Sequence, residues 1–196
     1  MGIYHYYSNK ELFEIGFRSL GKHVLISRTC QIYSPKTISI GDRVLIDDFT
    51  IMNGNIEIGS YVHINSNCEL HTGDNSSIRI CDYAGISSHS SVYALTDDFV
   101  GPYMSHPVIP FRFRNVIEQD VVLGKYVLIG THSVVLPGAN LGEGCSFGAN
   151  SLINKSTPPG GVYVGAPIKW LCAREIEGIQ RKEQEFVEEK QRRKKI

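Results

Sequence analysis

The sequence predicts an all-β solenoid, a stack of triangular coils built from short parallel strands, and three observations carry that prediction. Aliphatic residues recur every six positions at Ile40, Ile46, Met52, Ile58, Ile64 and Leu70, resume at Ile80, Ile86 and Val92, and return at Leu123, Ile129, Val135, Leu141, Phe147 and Ile153. Gly or Asp often follows, as in Ile40-Gly41, Ile46-Asp47, Ile58-Gly59, Leu123-Gly124 and Ile129-Gly130. Asn53-Gly54 is the one Asn-Gly dipeptide of the kind that closes a two-residue hairpin, which argues against many short antiparallel strands.

A period of six fits neither an amphipathic helix nor a half-buried strand, whose periods are 3.6 and 2. It fits a repeat in which each side of a triangle is a short strand and each corner a tight turn, so that about eighteen residues make one coil. The periodic aliphatic residue then points inward. The Gly or Asp after it is expected to supply the conformational freedom of the corner.

The elements follow in order. In the leading segment 1–22, Asn9 to Phe17 reads as a short amphipathic helix, with Ser8 as N-cap and Glu11 at N3. The solenoid is assigned to 23–171. Between 96 and 120 the hexad phase is lost, and TDDFVGPYMSHPVIPFRFRNVIEQD holds three of the eight prolines beside several aromatics and arginines. A long loop thrown out of a regular repeat is expected to serve function. The closing segment 172–196 is helical in composition, with opposite charges four apart and a solvated basic end, KQRRKKI.

Composition narrows the function classes. Lys plus Arg and Asp plus Glu balance at 20 each, which argues against a nucleic-acid footprint. No apolar run approaches the ~20 residues that span a bilayer, and MGIYHYYSNKEL lacks the basic and apolar regions of a signal peptide. Five scattered cysteines without a C-x-x-C pair read as reduced, mostly buried thiols, and a cytoplasmic location is expected.

The stretch VLIGTHSVVLPGANLGEGCSFGANSLINKSTPPGGVYVGAPIKWL resembles the closing coils of the hexapeptide-repeat acyltransferases, among them galactoside, maltose and streptogramin acetyltransferases. The resemblance runs from about Ile38 to Leu171. It implies a left-handed parallel β-helix, acetyl-CoA as co-substrate, and a homotrimer whose active sites lie between subunits. It places Gly130, Thr131, Ala149 and Lys155 on coenzyme-binding positions, with Lys155 near the phosphates. Asn154 stands where relatives often have Thr, and Lys169 where they often have Arg; both keep a polar or cationic group. Asn65, with Asn67 beside it, matches a position that polarises the carbonyl or holds the acceptor.

The base is where this chain departs from the pattern. Galactoside and streptogramin enzymes use a loop histidine, and the ungapped alignment from Ile86 puts Asp97 there, next to Asp98. Some surface-polysaccharide relatives share this Asp-Asp feature. The residues leave the proton acceptor open among His89, His106, His63, a carboxylate and a water-mediated path. His89 is preferred, since counting coils places it on the outer face between Asn67 and His132, with Asp97 or Asp98 to orient it. His132 could line the coenzyme groove, and His5, His23 and His71 read as surface residues. Asp98, His63, His106, Tyr103 and Arg114 are expected to hold the acceptor. No metal is expected, because the closely spaced histidine pair of the γ-class carbonic anhydrases is missing.

The leading functional expectation is therefore an O-acetyltransferase acting on a sugar in surface-polysaccharide or nucleotide-sugar metabolism. N-acetylation of an amino-sugar nucleotide is the alternative, since a free amine needs less help from a base. A non-catalytic scaffold is the reading from another class.

Overall fold

The inward ladder is the organising feature of the computed structural model, which describes residues 5–193. All fifteen periodic positions, from Ile40 to Ile153, are buried. Residues eighteen or twenty-two apart pair in parallel register: Ile40 with Ile58, Ile64 with Ile86, Met52 with Leu70, and Val135 with Ile153. Each side chain thus sits above its counterpart on the next coil, and one continuous core runs the length of the stack.

Six complete coils and the start of a seventh form three parallel sheets. The first face runs from Ser19–Leu20 through Ile38–Ile40 to Asn140–Leu141, and the second from Leu25–Ile26 through Gly85–Ile86 to Gly161–Val164. The third runs from Gln31–Tyr33 through Glu69–His71 and Ser91–Tyr93 to Leu152–Ile153.

The corners correct one expectation. Gly41, Gly59 and Gly124 are not in the left-handed region; they are glycines because coils approach closely there. A Cβ on Gly41 would lie 2.7 Å from the backbone carbon of Gly59. The left-handed residues come two positions later and carry side chains. One corner stacks His23, Arg43, Tyr61, Tyr83 and Tyr126, and another stacks Phe49, Asn67, His89, His132 and Asn150, all with φ between 56° and 62°. This conformation is unfavourable for such residues, and inter-coil hydrogen bonds hold it, such as Tyr61 N–H to Asp42 O at 2.9 Å and Asn67 N–H to Asp48 O at 2.8 Å.

Both ends are closed. Helix α1 (Asn9–Ile15) has the expected capping box between Ser8 and Glu11 and ends on left-handed Gly16. It drives Leu12 into the mouth of the core, with Tyr7, Ile15 and Phe17 around it. At the other end Lys169–Ala173 pairs antiparallel with Gly161–Val164. Helix α2 (Ile176–Arg193) then runs back along the tyrosine corner: Glu183 takes hydrogen bonds from Lys125 and Tyr126, and Phe186 meets Tyr61 edge-on at 5.4 Å. The expected charge pairs four apart are present at Arg181–Glu177 and Arg192–Glu188; residues 194–196 of the basic tail lie outside the described residues. Cys30, Cys68 and Cys145 are buried filler, whereas Cys172 is exposed. No helix among the described residues is long and apolar enough to cross a membrane.

Where the hexad phase is lost, an arm leaves the solenoid. Its base is an antiparallel pair, Leu95–Asp97 with Val116–Glu118. Its outer part bears Phe99, Val100, Val108 and Phe111, which are 77–97% exposed.

Candidate active site

Two concave regions hold the polar residues singled out by the sequence. The first lies between the base of the arm and the third face. It has a volume of about 490 Å³, with Leu95, Phe99, Val116, Leu136 and Pro137 among its apolar walls and Asp97, Arg114, His71 and Tyr93 as its polar groups.

Asp97 closes its strand and is held from both sides. The His106 backbone N–H donates to Oδ2 at 3.0 Å and the Arg114 guanidinium to Oδ1 at 3.3 Å. These bonds, that of His106 first, hold its carboxyl below the usual carboxylate range. Arg114 is largely buried and its Nε has no partner among the described residues. Asp98, one residue on, does not line the cavity: it accepts from Asn115 Nδ2 at 2.9 Å and from the backbone of Val100 and Gly101, which folds the arm's turn. Tyr103 lies out on the arm, about half exposed, and His106 reaches Asp97 through its backbone.

The second region runs along the second face, with a volume of about 550 Å³. The residue after each inward aliphatic is Asp47, Asn65, Ser87, Gly130 and Gly148 on successive coils, and Asn65, Ser87 and Gly130 of these line the region. His63 projects into it and pairs with Asp47 at 2.7 Å. The Asn65 side-chain oxygen accepts from the Ser66 N–H at 2.8 Å. Toward the later coils the edge narrows to glycine, where a Cβ on Gly130 would lie 2.6 Å from the Ala149 nitrogen. Thr131, at the adjoining corner, donates to the Ser88 carbonyl at 2.6 Å. Lys155 and Lys169 are exposed near the closing coils and form no ion pair among the described residues.

The corner between the second and third faces carries His89. The coil count placed it correctly: its ring stacks on His132 with centroids 4.8 Å apart. Within one protomer, however, Asp97 and Asp98 do not orient it, because both are engaged inside the arm. Sequence reasoning missed His71. Expected at the surface, it is instead half-buried and stacked on Tyr93 at 5.5 Å. The signal was present, since His71 follows inward Leu70 just as Tyr93 follows Val92. Ser87 was also missed, and nothing in a single sequence distinguishes it from its neighbours. Among the described residues no group of three His, Cys, Asp or Glu side chains is arranged to hold a metal ion.

Comparison with known proteins places this geometry. A family model for bacterial transferase hexapeptide (six repeats) matches residues 120–155. The dTDP-4-amino-4,6-dideoxy-D-glucose acyltransferase of Escherichia coli is 38% identical over 86% of this chain and 88% of its own length. A putative lipopolysaccharide biosynthesis O-acetyl transferase, WbbJ of E. coli K12, is 29% identical over 79% of this chain and 86% of its own. AntD, an N-acyltransferase from Bacillus cereus solved with dTDP and 3-hydroxybutyryl-CoA, superposes with a TM-score of 0.92 at 43% identity, covering 95% of this chain and 98% of that one. AntD has also been solved as variants of one serine and of one aspartate ten positions further along. With these relatives matched over most of its length, the chain belongs to the hexapeptide-repeat acyltransferases.

Proposed function

We propose that the chain transfers an acyl group from a coenzyme A thioester to the amine of a nucleotide-linked 4-amino-4,6-dideoxy sugar. The observation that carries this reading is the likeness to AntD across nearly the whole chain, together with the structure of an AntD variant in complex with dTDP-4-amino-4,6-dideoxyglucose and coenzyme A. The cavity is consistent with such an acceptor. An ionised Asp97 offers a partner to an amine or ammonium, and the apolar walls suit deoxy carbons better than hydroxyls.

O-acetylation, the leading expectation from sequence, is less well supported. A hydroxyl attacks a thioester only when a base takes its proton in the transition state. The position expected to hold that base carries a carboxylate whose hydrogen bonds make it a weak one. An amine brings its own lone pair.

Two serine–aspartate pairs here have the ten-residue spacing seen in AntD, Ser87–Asp97 and Ser88–Asp98. We assign the acceptor site to the first, because Ser87 lines the groove and Asp97 the cavity. Asp98 is instead engaged in the arm's turn, and Ser88 in the corner with Thr131. Ser87 and Asp97 flank the strand Ser91–Tyr93 and so stand at opposite corners of one face of the triangle. Both can touch one sugar only if they come from different copies, which supports a homotrimer with sites between subunits. The exposed apolar arm is the surface a neighbour would cover.

In that arrangement Gly130, Thr131 and Ala149 carry the pantetheine arm past the narrow edge of the groove, and Lys155 and Lys169 meet the phosphates. Asn65 helps polarise the thioester carbonyl. On the acceptor side Arg114 lines the cavity beside Asp97 and the His106 backbone holds that carboxylate, while His63 lines the groove. Both substrates are cytoplasmic metabolites, so we place the reaction there.

A thiol-release assay tests the proposal, with acetyl-CoA and 3-hydroxybutyryl-CoA as donors against nucleotide-linked amino sugars and their hydroxyl counterparts. Turnover restricted to the amines is expected. Turnover restricted to hydroxyl acceptors would return the assignment to O-acetylation.

A further inference from the structure

Among the histidines of the described chain, only His71 lines the cavity that holds Asp97. It ends the strand Glu69–His71, and its ring lies almost parallel to that of Tyr93 on the next coil, with 12° between the planes. The Tyr93 hydroxyl donates to Glu69 at 2.8 Å, and a Glu69 oxygen stands 3.8 Å from His71 Nε2. The stack fixes the plane of the imidazole against the cavity wall. Asp97 has both oxygens engaged by the arm. A carboxylate stabilised in this way is a poor proton acceptor and a good hydrogen-bond acceptor for the N–H of an amine.

We infer that His71 accepts the proton released by the acceptor amine, while Asp97 holds and orients that amine. The inference rests on the N-acylation reading above. The amine lone pair forms the C–N bond at the thioester carbonyl, and the carbonyl electron pair moves onto oxygen. An N–H proton passes to the free imidazole nitrogen of His71. The oxyanion then collapses, the C–S bond breaks, and the imidazolium returns the proton to the departing coenzyme A thiolate. The products are an amide and the free thiol.

The groups facing the ring are Glu69 and Tyr93 from the solenoid and Asp97 and Arg114 from the arm. Burial pushes His71 below its ordinary 6.5, with Glu69 acting in the opposite sense. The ring is therefore uncharged at neutral pH and free to take a proton. Activity should fall as pH drops through a value below 6.5.

The test uses the full-length enzyme with His71→Gln and His71→Asn, which keep a planar side chain without a titrating group. Initial rates are measured with acyl-CoA and the amino nucleotide sugar from pH 5 to 8.5, alongside equilibrium binding of dTDP. The expected result is a fall in kcat of roughly 10²-fold, loss of the acid limb, unchanged dTDP binding, and partial rescue by added imidazole. A kcat within about threefold of wild type, or an acid limb that persists in the variants, overturns the role. If neither variant folds, the wild-type profile decides: a kcat flat from pH 7 to 5 overturns it, and a limb centred below 6.5 supports it. A wild type that releases no thiol with any amine acceptor overturns the functional reading, and this inference falls with it. Failure of His71 alone requires an active wild type.

Discussion

Asp97 and Arg114 face each other across the two strands at the base of the arm, with the guanidinium 3.3 Å from one carboxylate oxygen and the His106 backbone N–H 3.0 Å from the other. The arm that carries Asp97 thus also fixes its charge. Asp97→Asn should keep the fold and lower kcat/KM by roughly 10- to 100-fold, the worth of one charge-assisted hydrogen bond, measured by thiol release. Because the folded carboxyl lies below its ordinary 3.8, it stays ionised throughout the working range. Any fall in activity near pH 6 must therefore come from another group, and the Asp97→Asn variant should retain that limb.

Ser87 makes one hydrogen bond's worth of difference if it touches the acceptor amine. Ser87→Ala should cost about 1 kcal/mol of transition-state binding, or about fivefold in kcat/KM. Equal amounts of Ser87→Ala and Asp97→Asn mixed and reassembled from denaturant would test sharing between subunits. Recovery of activity above both parents is expected, since some sites in a mixed trimer draw the intact residue from each copy. Activity no higher than that of the parents would count against sites shared between subunits.

Lys155 and Lys169 are predicted to meet the coenzyme's phosphates. Replacing either with Ala should raise the Kd for coenzyme A by about tenfold or more while leaving the Kd for dTDP unchanged. The effect should shrink as ionic strength rises, because exposed charge pairs are screened. Isothermal titration at two salt concentrations would check it.

Leu12 anchors the helix that covers the open first coil, and it is 1% exposed. Leu12→Ala should destabilise the chain by about 2–5 kcal/mol, read from the midpoint of denaturant unfolding. Gly41→Ala should also destabilise, by about 1–3 kcal/mol, since the new methyl would press on the backbone of Gly59 and backbone cannot yield as a side chain can.

Hydrogen bonds from Arg28 first, then Ser8, lower the Glu11 carboxyl to about 2. A depressed folded value means the contribution is present above the unfolded value of 4.5 and is lost as pH falls toward about 2. Glu11→Gln should therefore remove part of the acid destabilisation between those limits. Melting temperature followed from pH 5 to 2 would show the wild type falling more steeply than the variant.

The sequence by itself determined the solenoid, because a six-residue period has one good structural solution and every member of it, from Ile40 to Ile153, is buried. It also determined the helix cap at Ser8 and Glu11 and the place where the arm leaves the coils, since these are local patterns. It misread the corner glycines, whose need is the nearness of another coil some eighteen residues away rather than their own torsion angles. Tertiary structure alone decided the site. His71 and Asp97 are separated by one full coil and the start of an arm, yet they line one cavity, while adjacent Asp98 is turned into the arm's own hydrogen bonds. Stacking brings distant positions together and hydrogen bonding separates neighbours, so a one-dimensional pattern cannot report which carboxylate faces the cavity.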